Sequence, residues 1–116
     1  MKKTIKRKLD KVVSEIVRSK GYCVKCNKTM NLQCCHIFSR KNLSTRWDLD
    51  NLLCMDAGCH FWSHQNPVLF TEFVKEYLGS LRYEALKVRA KAIKKWSEDE
   101  LISYYNVLLK TREGSC

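Results

Sequence analysis

Along the first twenty residues the apolar side chains recur with a helical period. Ile5, Leu9, Val12, Val13, Ile16 and Val17 share one face, Lys and Arg dominate the rest, and Gly21 supplies a stop. The pattern predicts an amphipathic, strongly basic helix over residues 2–20, with its apolar stripe packed into the core. Between residues 22 and 53 the helical period disappears. The short segments 22–26 and 31–37, separated by Asn27, Lys28 and Thr29, read as the two strands of a hairpin. Periodicity returns after Asn66 and Pro67, a capping residue followed by the residue tolerated at a first helical position. Phe70, Phe73, Val74, Tyr77 and Leu78 form the apolar face of that helix, and Gly79 ends it. Ser80 is placed to cap a second helix carrying Leu81, Leu86, Val88, Ala92 and Ile93. Ser97 and Glu100 make a capping box for a third, with Leu101, Ile102, Tyr105 and Leu108. The expected class is α+β: a small non-helical core behind a basic N-terminal helix, followed by a helical extension whose role is packing. No repeat, low-complexity run or linker divides the chain, so residues 1–116 read as one domain, with segments 1–21, 22–66 and 67–112.

Composition narrows the picture. A chain of 116 residues buries on the order of two thirds of its unfolded surface, enough for one compact core. With 45% hydrophobic and 29% charged residues it resembles neither a disordered tail nor a fibre. The longest apolar patches, around residues 52–55 and 68–70, fall far short of the roughly 20 residues that cross a bilayer. Asp10, Lys11, Ser14 and Glu15 stand where an export signal needs its apolar stretch, so a cytoplasmic location without membrane contact is expected. The formal charge is +10, which favours a polyanionic partner, nucleic acid first. Residues 1–20 hold eight basic and two acidic groups and supply most of that field, making Lys6, Arg7 and Lys11 the candidate DNA contacts. A solvated, solubility-promoting face is the bland alternative. Lys87, Arg89, Lys91, Lys94 and Lys95 offer a second strip of the same kind.

Seven cysteines, an odd number in a chain without an export signal, argue for metal binding over disulfides. Cys23 and Cys26 form a C-x2-C pair, and Cys54 and Cys59 a C-x4-C pair. Four thiolates at about 2.3 Å around one Zn²⁺ would make a closed, structural tetrahedral site. Unpaired cysteines acting as small hydrophobes are the alternative, and Cys116 reads as a bystander. All three histidines lie in or beside the region between these pairs. His60 and His64 are four residues apart, so on a helix they share a face and suit two ligands of one metal ion. Paired surface histidines are the alternative. His36 ends the second predicted strand, where a neutral imidazole could accept a proton from water as a general base, unless it is simply a core histidine. Asn51 precedes the second cysteine pair, where its amide could brace a loop or an imidazole, or simply form a turn.

From Cys23 to Pro67 the sequence resembles HNH nucleases of the ββα-metal, treble-clef type. The resemblance rests on Cys23-x2-Cys26, Cys35-His36-Ile37, Asn51-Leu52-Leu53-Cys54, and Cys59-His60 with His64. More narrowly, His36-Ile-Phe-Ser-Arg40, the run Thr45-Arg46-Trp47-Asp48-Leu49-Asp50-Asn51, and His64-Gln-Asn-Pro67 are similar to phage recombination nucleases of the NinG/Rap type. The resemblance implies a zinc-stabilised core and a metal-dependent DNA endonuclease acting on branched or duplex DNA in a bacterial host. His36 would be the base, Asn51 the brace, and His60 and His64 the ligands of a catalytic Mg²⁺, Mn²⁺, Ni²⁺ or Zn²⁺. Many HNH proteins carry a metal-binding Asp just before the catalytic histidine, where this chain has Cys35. Either Cys35 joins the metal, giving a soft set suited to Zn²⁺, or it points into the core and leaves a more open site. Only one of Cys34 and Cys35 can share a strand face with the site. Arg40 or Arg46 would clamp a phosphate, Arg46 being favoured because Trp47 can fix its loop; an ion pair with Asp48 or Asp50 is the alternative. Symmetric cutting of a junction would call for a homodimer. Two further readings stay open: a zinc-stabilised DNA-binding module without catalysis, and a subunit whose helical half contacts a protein partner.

Overall fold

The computed structural model describes residues 2–114, so Cys116 lies outside the described residues. Helix α1 (Lys2–Arg18) buries Ile5, Leu9, Val12 and Val13 of the stripe read from the sequence and leaves Ile16 and Val17 half-buried, and the chain turns away at Gly21 with φ of +85°. Strands β1 (Leu32–His36) and β2 (Leu52–Asp56) pair antiparallel, with Cys34 opposite Cys54 and His36 opposite Leu52. Helices α2 (Ala57–Gln65), α3 (Pro67–Leu78), α4 (Ser80–Lys91) and α5 (Glu98–Gly114) follow. Among the described residues the fold is a small α+β unit of five α-helices and a two-stranded sheet.

The hairpin differs from the expected one. Residues 22–26 form no strand; they curl into a knuckle in which the Cys23 N–H donates to the Lys28 carbonyl (2.8 Å) and the Asn27 N–H to the Cys23 carbonyl (2.9 Å). Asn27 and Asn31 both adopt positive φ, 66° and 56°, a conformation that breaks an extended run and that Asn tolerates better than most residues. The partner of β1 is instead β2, all five of whose residues are buried. A strand apolar on both faces belongs between two packed layers, and β2 occupies that place. Leu53 and Met55 join Cys35, Phe70, Val74 and Leu86 in one core, while Leu52 joins Leu9, Trp47, Leu101 and Leu108 in the other. The first core lies under α3 and α4, the second between α1 and α5.

The helix-end signals play different parts in the structure. Ser97 and Glu100 form the expected capping box: the Glu100 N–H donates to Ser97 Oγ (3.1 Å) and the Ser97 N–H to Glu100 Oε1 (2.9 Å). Asn66 does not cap α3 with its side chain; its Nδ2 donates back to the Trp62 carbonyl (3.1 Å) and ties off α2. In α4 the buried residues are Tyr83 and Leu86, whereas Leu81, Val88 and, beyond the helix, Ile93 face solvent. Gly79 alone separates α3 from α4, and so tight a turn sets which face of α4 reaches the core. No helix among the described residues is long and apolar enough to cross a membrane.

Candidate metal centre and histidine cavity

The knuckle brings Cys23 and Cys26 to the start of α2, where Asp56 and Cys59 wait. The four ligand atoms all lie within 4.8 Å of one another. Asp56 closes β2 and caps α2, its Oδ2 accepting from the Gly58 N–H at 3.2 Å, while Cys26 Sγ donates to Asp56 Oδ1 at 3.2 Å. These two thiols, Cys59 first and Cys26 next, hold the Asp56 carboxyl well below the usual carboxylate range. Burial and the same carboxylate push the Cys59 thiol up. Three sulfurs and one carboxylate at this spacing fit a tetrahedral ion of intermediate softness, so the group could hold a metal such as zinc, with proton release on binding.

Cys54, the expected fourth thiolate, is not in the group. It sits mid-strand opposite Cys34 and lines a shallow groove with Ile16 and Val17 of α1, and its carbonyl accepts the Val24 N–H (2.9 Å). Asp56 takes the position because it stands at the strand end where α2 begins. The signal was present in the sequence: Asp56-x2-Cys59 repeats the spacing of Cys23-x2-Cys26.

A cavity of about 700 Å³ collects all three histidines, with Arg40, Ile37, Pro67 and Phe70 among its walls. His60 and His64 lie one turn apart on α2 with ring centroids 5.1 Å apart. His60 Nδ1 donates to Gln33 Oε1 (2.7 Å), which leaves Nε2 as its lone-pair nitrogen. Burial and the neighbouring His64 lower the His60 pKa and favour the neutral ring that a metal needs. Two imidazoles on one face fit a divalent ion that draws its remaining ligands from water or substrate. Among the described residues, no third His, Cys, Asp or Glu completes a ligand group here.

Cys35 does not face this cavity. Strand alternation turns it into the first core, 1% exposed, with Sγ 3.7 Å from Ser63 Oγ, and burial pushes its pKa up to about 11. Cys34 shares the cavity face with His36 instead, and burial pushes its pKa up to about 12. Neither thiol is ionised at neutral pH. His36 donates Nε2–H to the Arg46 carbonyl (3.1 Å), so Nδ1 carries the lone pair. Burial lowers its pKa below the ordinary 6.5, leaving a neutral ring at neutral pH.

Asn51 is fully buried and ties together the loop after β1. Its Oδ1 accepts from the Phe38 N–H (2.7 Å), and its Nδ2 donates to the carbonyls of Phe38 and Thr45 (both 3.0 Å). Arg46, favoured from the sequence as a phosphate clamp, is committed elsewhere: its Nε and Nη2 bind the Asp10 carboxylate at 3.0 and 2.6 Å, and its side chain is largely buried. The ion pair is real but its partner comes from α1, because Asp48 and Asp50 are taken by Arg89 and Arg82 of α4. Arg40 also reaches Asp10 (3.0 Å), yet remains mostly exposed and lines the cavity, so it is the better placed cation. On α1, Arg7 and Lys11 are exposed opposite the buried stripe and Lys6 is half-buried at its edge. In comparison with known proteins, no family model matches the chain, and neither the curated proteins nor the solved structures give a significant match.

Proposed function

We propose that the chain is a metal-dependent DNA endonuclease of the HNH kind, hydrolysing phosphodiester bonds in branched or recombination-intermediate DNA in a bacterial cytoplasm, in line with its phage-type resemblance. The observation that carries this reading is the convergence of His36, His60 and His64 on one cavity, with His36 neutral and its Nδ1 unspent. His36 Nδ1 accepts the proton of the attacking water. Asn51 holds the loop whose Arg46 carbonyl fixes the His36 ring. Arg40 at the cavity wall meets a non-bridging phosphate oxygen, and Arg7 and Lys11 of α1 contact the flanking backbone. His60 and His64 would hold Mg²⁺, Mn²⁺, Ni²⁺ or Zn²⁺, which when bound supplies charge stabilisation at the phosphate and the leaving oxygen. Zn²⁺ at Cys23, Cys26, Asp56 and Cys59 is the structural ion. The strongest competitor is a zinc-stabilised DNA-binding module, favoured by the bare two-residue ligand set at the histidines.

The test is cleavage of labelled four-way-junction and linear duplex DNA by wild type and His36→Ala, with Mg²⁺ or Mn²⁺ supplied. Wild type should cleave, the junction faster than the duplex. His36→Ala should lose about 100-fold or more in rate, the usual scale for a general base, while binding DNA as tightly. DNA binding that weakens steeply with salt, but without cleavage by either protein, would replace the nuclease with the binding module.

A further inference from the structure

Asp10 is one of only two acidic residues in the first twenty, set between Lys8 and Lys11 on the most basic segment of the chain. Its carboxylate is saturated. Oδ1 accepts from Arg46 Nε (3.0 Å) and Trp47 Nε1 (2.8 Å); Oδ2 accepts from Arg46 Nη2 (2.6 Å) and Arg40 Nη2 (3.0 Å). A carboxylate offers about four lone-pair sites, and all four are used. The Arg46 contact is the two-pronged fork that fixes a guanidinium in direction as well as distance. The Trp47 indole is 1% exposed, so without Asp10 its N–H would lose its partner in a dry site. These bonds clamp two consecutive residues, Arg46 and Trp47, to α1.

The carbonyl of the first of them is the acceptor for His36 Nε2–H. Which imidazole nitrogen carries the proton is set by the hydrogen bond the other can make. We infer that Asp10 is a positioning residue for His36: by seating the Arg46–Trp47 segment it places the carbonyl that keeps the His36 proton on Nε2 and turns Nδ1 to the cavity. Asn51 restrains the same segment from inside the fold through the Thr45 carbonyl, and Asp10 restrains it from α1. The helix proposed to lie along DNA is thereby joined to the proposed base through one carboxylate. This inference rests on the nuclease reading for its consequence in catalysis, but the effect on the ring is independent of activity.

The experiment compares full-length wild type and Asp10→Asn by long-range ¹⁵N–¹H spectra of the histidine rings above pH 7, beside cleavage kinetics. Wild type should show His36 as the Nε2–H form. Asp10→Asn should show a mixed His36 tautomer with the His60 signals unmoved, and should lower kcat about 10- to 100-fold, the range typical of lost orienting partners, with KM for DNA within about two-fold. Trp47→Phe, which deletes only the indole donor and leaves the Arg46 fork, should preserve the His36 tautomer. If Asp10→Asn does not fold, Arg46→Lys, which breaks the fork and keeps the carbonyl, carries the test with the same expected spectrum. An unchanged His36 tautomer in a folded Asp10→Asn or Arg46→Lys protein overturns the inference while leaving the nuclease reading intact. A wild type that never cleaves, yet shows the Asp10-dependent tautomer, overturns the nuclease reading and supports the positioning role.

Discussion

His36 sits half-buried, and that burial outweighs the opposing pull of its Nε2–H bond to the Arg46 carbonyl, so it resists protonation where an exposed histidine would accept it. Its pKa is lowered, so the neutral base persists as pH falls through 6.5. The acid limb of the cleavage rate should therefore lie below pH 6.5, which a pH–rate profile of kcat/KM reads directly. The same shift has a stability consequence of defined sign. The unfolded chain takes up the proton near 6.5 while the folded ring does not, so stability should decline from about pH 6.5 down to the lowered value and level off below it. At this scale the sequence was legible where residue type itself carries the chemistry: three histidines near paired cysteines, and a lone Asn before the second pair. It was least legible at Asp56, because a carboxylate just before a helix reads as an ordinary cap. Asp56 is that cap and a member of the thiol group at once. The ion pair that holds Arg46 was hidden for a related reason, since its partner, Asp10, lies 36 residues away.

At the scale of elements, α4 shows what a periodic pattern leaves open. Leu81, Ala85, Val88 and Ala92 repeat with a helical period, and so do Tyr83, Leu86 and Ala90 on the opposite face. Periodicity alone cannot say which stripe meets a core, and the tight Gly79 turn selects the second. Leu86→Ala should therefore cost about 2–5 kcal/mol, the scale of a fully buried leucine. Leu81→Ala should stay within about 0.5 kcal/mol of wild type, since an 88% exposed side chain loses little. Urea denaturation of the two variants measures both. The hairpin failed in the sequence for a different reason: strand segments announce themselves locally, but their pairing is a long-range choice. The Cys23 knuckle has local hydrogen bonds enough to satisfy itself, and β1 pairs with a segment sixteen or more residues further on. The Ser97 and Glu100 box was legible because both its bonds are local.

For the molecule as a whole, the two cores on either side of β2 depend differently on the metal group. Cys23 is a member of the first core, whereas the second core of Leu9, Trp47, Leu101 and Leu108 contains no member of the group. Cys23→Ser, or a chelator, should lower zinc content and melt the first core ahead of the second, since structural zinc contributes on the order of 10 kcal/mol in small metallo-domains. Cys54→Ser should keep full zinc content, because Cys54 is not a member of the ligand group. Zinc analysis paired with hydrogen exchange at Met55 and Leu101 checks both. Charge was legible at this scale from composition and the α+β class from hydrophobic periodicity; the division into two cores was not, because it follows from β2 being apolar on both faces and central. That strand begins just after Asn51 and ends at Asp56, five residues spanning about 17 Å. Because side chains alternate, adding or deleting one residue within it would turn Asp56 away from the cysteines or Asn51 away from its loop. The distance between the two sites is thus counted in whole residues, and lineages of this chain should admit no length change between positions 51 and 56.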